Sequence, residues 1–212
     1  MAANSNPAPR QAQARADHAA PRSVGEALLE RIGNTPLLPL DALTRDLSTI
    51  KLLGKAEWYN PGGSIKDRAA ASIITEARRT GKLAPGKILL DSTSGNTGIA
   101  YAMLGAALGI PVTLCVPENV SPERKRILQA YGANIIYTDP GEGSDGAIKI
   151  ARQLAASHSD LYFYADQYSN EANWRAHTRP PRTRSGSKPT AASPTSSPCW
   201  ARPGPSSVPP AV

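Results

Sequence analysis

The feature that most constrains the fold is an alternation of short apolar runs with longer segments of helical periodicity. The runs KILLD, PVTLCVP, NIIYT and LYFYA are almost continuously apolar, and segments with helical patterning separate them. Strands that are apolar on both faces are typical of a parallel sheet with helices on both sides and right-handed crossovers. The sequence therefore predicts an α/β domain built on a doubly wound parallel sheet.

The helical segments carry recognisable start signals. Ser23, with Glu26 three residues later, predicts a capped helix that ends at Gly33. Ser121 followed by Pro122 predicts the start of another. The other predicted elements are a strand in IKLLGKAEW and helices in SIKDRAAASIITEARRTGKL, GNTGIAYAMLGAALG and residues 143–157.

The formal net charge of +7 belongs to the two ends of the chain. Residues 1–22 carry three arginines against one aspartate, and residues 178–212 carry four arginines and one lysine with no acidic residue. The intervening 155 residues hold sixteen basic and sixteen acidic side chains, which gives no support for a nucleic-acid partner. We expect residues 1–22 to be a disordered leader, and residues 178–212, with nine of the twenty prolines, to be a disordered tail.

Two cysteines are too few for a disulfide framework, which favours a reduced, cytoplasmic protein. No segment approaches the roughly 18 consecutive apolar residues of a membrane span, so no membrane partner is expected.

Ligands of open α/β sheets bind where the strands end, which directs attention to the loop YNPGGSIKDR. Lys66 lies there at the predicted start of a helix, where the positive end of the helix dipole disfavours a simple solvated lysine. The same potential favours a neutral amine, a nucleophile able to form a Schiff base. A lysine that grips phosphate is an alternative, but the spacing of the Walker motif is absent.

The second unusual loop, STSGNTG, places hydroxyl groups at Ser92, Thr93, Ser94 and Thr97 beside a predicted helix start. Free amides and short hydroxyl side chains make a cradle for a carboxylate or phosphate group. An ordinary helix cap with a glycine turn explains the pattern equally well.

Taken together, NPGGSIKDR, TSGNTGIA, VPENVSPERKRILQAYGA, DQYSNEANWRAH and the early GNTPLL resemble the cysteine synthase family of pyridoxal-phosphate enzymes. The resemblance runs from Gly33 to His177. It implies the tryptophan-synthase-β-like fold of type II, here incomplete, with residues 23–177 as its N-terminal part and a small lobe at about 61–165.

The resemblance also implies a cofactor, pyridoxal 5'-phosphate, and roles for seven residues. Lys66 would bind the cofactor covalently and act as acid and base on the substrate's α-carbon, and Asn96 would hydrogen-bond the cofactor's ring hydroxyl. Gln167 would contact the substrate carboxylate from the side opposite the second loop, although a polar turn also explains it. The loop residues that would clasp this carboxylate are Thr93, Ser94, Gly95, Asn96 and Thr97.

The implied reaction is a β-replacement on an O-activated serine, in which sulfide gives L-cysteine. The small-molecule partners are the amino acid and a sulfide donor, no metal is expected, and full-length relatives are expected to be homodimers. A cystathionine β-synthase or threonine synthase-like enzyme is an alternative, as is a non-catalytic remnant with a carboxylate-binding loop. For Asn170 we favour a helix cap over a ligand contact.

The family's phosphate-binding loop, rich in glycine and threonine, and its serine facing the pyridine nitrogen are not found in the 212 residues. Joining the last base of each codon from His177 onward to the next two bases makes the tail compatible with the family's continuation, including GTSGT. We therefore expect the tail to be the product of a frameshift, and the truncated chain to be inactive.

Overall fold

The computed structural model describes residues 23–47, 49–93 and 95–178. The predicted leader, and all of the predicted tail except its first residue, lie outside the described residues.

Four parallel strands form the central sheet, in the spatial order β5 (Asn134–Thr138), β4 (Val112–Pro117), β3 (Ile88–Ser92) and β6 (Tyr162–Tyr164). The register places Leu90 of β3 opposite Thr113 of β4 on one side and Tyr164 of β6 on the other. The predicted parallel sheet is therefore confirmed.

Helices cover both faces of this sheet. Leu89 and Leu90 are neighbours in β3 and both fully buried, but they belong to different cores. Leu89 packs among residues of the second, third and fourth helices, whereas Leu90 packs with Ala147 and Ala151 of the fifth. Because successive side chains of a strand point to opposite faces, this confirms the doubly wound arrangement. The helices are α1 Val24–Arg31, α2 Lys66–Arg79, α3 Asn96–Leu108, α4 Pro122–Ala130, α5 Gly143–Ser157 and α6 Glu171–Thr178.

The helix starts follow the predicted signals in part. At α1 the backbone amide of Glu26 donates to Ser23 Oγ at 3.2 Å, and the Ser23 amide donates to the Glu26 carboxylate at 3.4 Å, which completes the predicted capping box. Ser121 occupies the N-cap of α4 and Pro122 is the first residue of the helix, but the side chain of Ser121 forms no capping hydrogen bond. None of the helices in the described part of the chain is long and apolar enough to cross a membrane.

The strand predicted in IKLLGKAEW is present but short, and it lies outside the parallel sheet. The chain forms only a three-residue strand there, β2 Leu53–Lys55, which pairs antiparallel with β1 Leu37–Pro39 in a separate small sheet. A short 3-10 turn, Glu57–Tyr59, follows. The physical reason is Glu57, whose carboxylate accepts two hydrogen bonds from Arg68, at 2.8 and 2.9 Å, and so draws the chain out of the extended direction.

Candidate functional site

Asn60 organises the loop before Lys66 from within. Its side chain is only 3% exposed, and its Nδ2 donates to the carbonyl oxygens of Glu57 at 2.9 Å and Ser64 at 3.0 Å. Its Oδ1 accepts from the amide of Gly33 at 2.8 Å. Asn60 thus ties the early glycine motif to the lysine loop, since every polar group of its side chain has a backbone partner.

Asp67 holds the other side of the same loop. Its carboxylate is fully buried and accepts from the amide of Gly62 at 2.5 Å, and burial raises the pKa of Asp67. A Cβ at position 62 would lie 2.6 Å from Asp67 Oδ1, so only glycine fits at this close approach. Lys66 is the first residue of α2 and is half-buried. The side chain of Asp67 therefore fixes the backbone that leads into Lys66.

The second loop connects the end of β3 to α3. Thr93 is buried, and its Oγ1 accepts a long hydrogen bond of 3.4 Å from the amide of Gly95. A Cβ on Gly98 would lie 3.1 Å from the Thr93 carbonyl oxygen, so the first turn of α3 packs directly on the loop. The free amides at the start of this 13-residue helix favour a negatively charged ligand.

Gln167 lies in the turn after β6 and is 7% exposed. Its Nε2 donates to the carbonyl oxygen of Ser92 at 3.2 Å, and its own carbonyl oxygen accepts from Asn173 Nδ2 at 2.7 Å. The preceding residue, Asp166, has a positive φ of 42°, unusual for a residue other than glycine. The turn is thus strained and heavily hydrogen-bonded, properties that often accompany functional sites.

Asn170 closes this turn as a helix cap. Its Oδ1 accepts from the amide of Ala172 at 3.0 Å in the first turn of α6, and its Nδ2 donates to the carbonyl oxygen of Ala165 at 2.8 Å. The predicted cap is confirmed.

One cleft brings most of the predicted residues together. It has a volume of about 450 Å³ and lies where the strands of the sheet end. Ser94 lies outside the described residues, and the roles of all seven residues stay predictions. The six that line the cleft are Lys66, Thr93, Gly95, Asn96, Thr97 and Gln167.

Sequence reasoning missed three polar residues that line the same cleft, Arg124, Ser144 and Tyr168. Arg124 and Ser144 lie in the first turns of α4 and α5, and Tyr168 follows Gln167 in the turn after β6. The signal that could have found them is position: each follows the carboxyl end of a predicted strand.

The cleft carries positive charge. Among the described residues that line it are two cations, Lys66 and Arg124, and no aspartate or glutamate. Its volume lies in the range of small-molecule sites, and its donors are amides, hydroxyls and amines. This donor set fits an aldehyde cofactor such as pyridoxal phosphate, whose aldehyde would meet the lysine amine, next to an anionic substrate group that would meet the amides and hydroxyls.

Comparison with known proteins places these features in a family. Residues 28–179 match the family described as pyridoxal-phosphate dependent enzyme. The chain is 49% identical over 158 residues to a cysteine synthase of Aquifex aeolicus, a match that covers 74% of this chain and 48% of the relative. A cysteine synthase of Staphylococcus aureus is 42% identical over 146 residues, covering 69% of this chain and 46% of the relative.

Solved structures agree with the sequence relatives. The crystal structure of cysteine synthase from Entamoeba histolytica superposes with a TM-score of 0.68 at 36% identity, and the match covers 83% of this chain and 50% of that one. The chain thus has the fold of the type II pyridoxal-phosphate enzymes in part, and it spans about half the length of the curated relatives it matches. The chain belongs to the family of pyridoxal-phosphate dependent enzymes, and the relatives it resembles within that family are cysteine synthases.

Proposed function

We propose that the chain carries the N-terminal half of a cysteine synthase-type enzyme, which replaces the β-substituent of an O-activated serine with sulfide to give L-cysteine. The observation that carries the proposal is the cleft itself. It joins Lys66, the loop at the start of α3 and Gln167 in one positively charged site, in a chain whose curated relatives are cysteine synthases.

Lys66 is the residue we assign to proton transfer. Pyridoxal phosphate, when bound, supplies an electron-withdrawing ring that makes the α-proton of an amino acid removable. Lys66 Nζ would bind the cofactor's aldehyde in the resting enzyme, accept the α-proton of the substrate, and return it at the end of the reaction. The fixed loop around Asn60 and Asp67 supports this role, because acid–base groups need a defined position.

The substrate carboxylate would lie between the second loop and Gln167. Thr97 is buried in the first turn of α3 and could donate its hydroxyl, together with the free amides of that turn. Gln167 uses one amide hydrogen for the carbonyl oxygen of Ser92, which leaves the other for a ligand. Asn96, the first residue of α3, is exposed at the cleft and is assigned to the cofactor's ring hydroxyl.

The overall reaction balances without an oxidant. The bond from the β-carbon to the leaving oxygen breaks, a carbon–sulfur bond forms at the same carbon, and acetate or phosphate departs. Lys66 carries the α-proton between the two halves of the reaction.

For residues 178–212 we propose a shifted reading frame, caused by one lost base or two extra bases near codon 177. The support is compositional, since this stretch has no acidic residue and is rich in proline, unlike the neutral segment before it. Resequencing the gene decides the matter, because the proposal requires an intact downstream frame that encodes the family's phosphate loop.

The experiment for the proposed function uses the chain extended through that frame, with Lys66→Ala beside the unsubstituted protein. We expect the unsubstituted protein to show a visible absorbance band of lysine-linked cofactor and to form cysteine from O-acetyl-L-serine or O-phospho-L-serine and sulfide. Lys66→Ala should lose both. Lys149→Ala, an exposed lysine of α5, serves as the matched control and should retain both. Cysteine formation that survives in Lys66→Ala would overturn the assignment.

A further inference from the structure

A buried carboxyl group lies behind the wall of the cleft. Asp91, in β3, is fully buried, and its Oδ1 accepts from the amide of Ser92 at 2.8 Å. Its Oδ2 accepts from the amide of Gln167 at 3.3 Å. No cation in the described part of the chain forms an ion pair with it. Asp91 thus bonds to two residues of the cleft wall, although it is 76 positions from Gln167 in sequence.

The groups around Asp91 are polar and incompletely paired. Two buried atoms near Asp91 have no hydrogen-bond partner among the described residues, Ser92 Oγ and Asp166 Oδ1. The hydroxyl groups of Tyr101 and Tyr164 interact with Asp91 and Arg152, respectively. Charge on Asp91 acts on both tyrosines, and Asp166 acts on Asp91. Buried polar groups are seldom left unpaired, so this cluster has spare donors and acceptors for a carboxyl group that changes its protonation.

We propose that Asp91 is a positioning residue for Gln167, whose carboxyl group holds the Gln167 backbone against the cleft and does so more firmly when it is ionised. That Gln167 binds the substrate carboxylate rests on the proposed function. The hydrogen bonds that Asp91 accepts do not depend on that function.

The hydrogen bonds of Asp91 determine how its hold on Gln167 changes with pH. Burial raises the pKa of Asp91 to about 7, while the amides of Ser92 and Gln167 oppose that shift. A bond that opposes the shift favours the ionised form, and it is therefore stronger when Asp91 is ionised. The Gln167 turn should accordingly tighten as the pH rises through neutrality.

Several titratable groups face Asp91 and must be considered with it. Tyr101 comes from α3, Cys115 from β4, and Tyr164 from β6, with Asp166 and Tyr168 in the following turn. Burial raises the pKa of Cys115 to about 11 and raises the pKa of each tyrosine, so these groups keep their protons near neutral pH. Arg152 of α5 acts on Tyr164 but forms no ion pair with Asp91.

The test uses the 212-residue chain without cofactor. In isotope-labelled protein, the carboxyl carbon of Asp91 and the amides of Ser92 and Gln167 should titrate together, with one midpoint near neutral pH. In Asp91→Asn the amide titration should disappear. At pH 8 the protection of the Gln167 amide against hydrogen exchange, measured relative to the amides of β3 and β4, should fall about fivefold to tenfold, as expected for loss of one hydrogen bond.

The controls separate positioning from general damage. Asp139→Asn removes another aspartate that accepts from a backbone amide, that of Gly141 at 2.7 Å, but in an exposed turn, and it should leave the Gln167 titration unchanged. If Asp91→Asn does not fold, the coincident midpoints in the unsubstituted chain and in Asp91→Glu still decide the question. Gln167 amides that ignore the titration of Asp91 would overturn the proposal. A Gln167 amide that follows Asp91 in a protein whose frame-restored form makes no cysteine would support the positioning role and count against the proposed function.

Discussion

Replacing Asp91 by asparagine should change how the stability of the fold depends on pH. Burial raises the pKa of Asp91 to about 7, whereas an exposed aspartate has a pKa of about 3.9. The raised value means that the folded state binds more protons than the unfolded state between these two pH values. The contribution of Asp91 to stability is therefore fully present below about pH 4 and is lost as the pH rises through about 7.

The magnitude follows from the size of the shift. Each pKa unit corresponds to about 1.4 kcal/mol, so the loss amounts to about 4 kcal/mol at most. Asparagine cannot ionise, but it also loses one of the two backbone hydrogen bonds, which costs about 1 kcal/mol. Asp91→Asn should thus be less stable than the unsubstituted chain near pH 4 and more stable near pH 8.

Urea unfolding followed by circular dichroism at pH 4, 5, 6, 7 and 8 measures this difference. Burial also raises the pKa of Asp67, but contributions of groups other than Asp91 cancel when the unfolding free energies of the two proteins are subtracted at each pH. A difference in unfolding free energy that stays constant from pH 4 to pH 8 would refute the reasoning, because it would mean that burial does not oppose ionisation of Asp91.

Three further outcomes are expected. In the frame-restored protein, Thr97→Ala and Gln167→Ala should each weaken binding of the amino-acid substrate by about 1 to 3 kcal/mol in a spectral titration while leaving the cofactor band unchanged; a large loss of cofactor would mean that these residues are misplaced. Gly62→Ala should destabilise the chain by about 1 to 3 kcal/mol in urea, since its Cβ would lie 2.6 Å from Asp67 Oδ1, whereas unchanged stability would show that the loop has room. The 212-residue chain itself should bind pyridoxal phosphate poorly, because the phosphate loop is not in its sequence and each lost charge-assisted bond is worth about 1.5 to 3 kcal/mol; equilibrium dialysis that shows one tightly bound cofactor per chain would contradict this.

Local patterns predicted the parallel core well because they reflect short-range physics. Residues 143–157 form a helix and KILLD a strand, as their periodicity indicated. The STSGNTG loop and the turn that contains Gln167 line one cleft because they follow β3 and β6, which are adjacent parallel strands. The burial of Asp91 and its contact with Gln167 could not be predicted from local patterns. An aspartate letter does not reveal whether its side chain is solvated or buried, and here the answer depends on Gln167, far along the chain.

The same limit explains why the strand in the N-terminal segment is shorter than its sequence run. The run IKLLGKAEW has strand propensity, but Glu57 is bound by Arg68, a partner eleven positions away that sequence patterning does not identify. Propensity describes what a segment prefers alone, whereas a partly buried ion pair formed in the fold overrides that preference here. Local patterns therefore did not predict contacts between side chains and partners distant in sequence, such as Glu57 with Arg68 and Asp91 with Gln167.

The most direct test of the account asks which lysine binds the cofactor. The frame-restored protein is incubated with pyridoxal phosphate, the linkage is reduced with borohydride, and the modified peptide is identified by mass spectrometry. We expect one modification per chain, on Lys66 directly after NPGGSI, and competition by excess O-acetyl-L-serine. Modification spread over other lysines with Lys66 intact would contradict it.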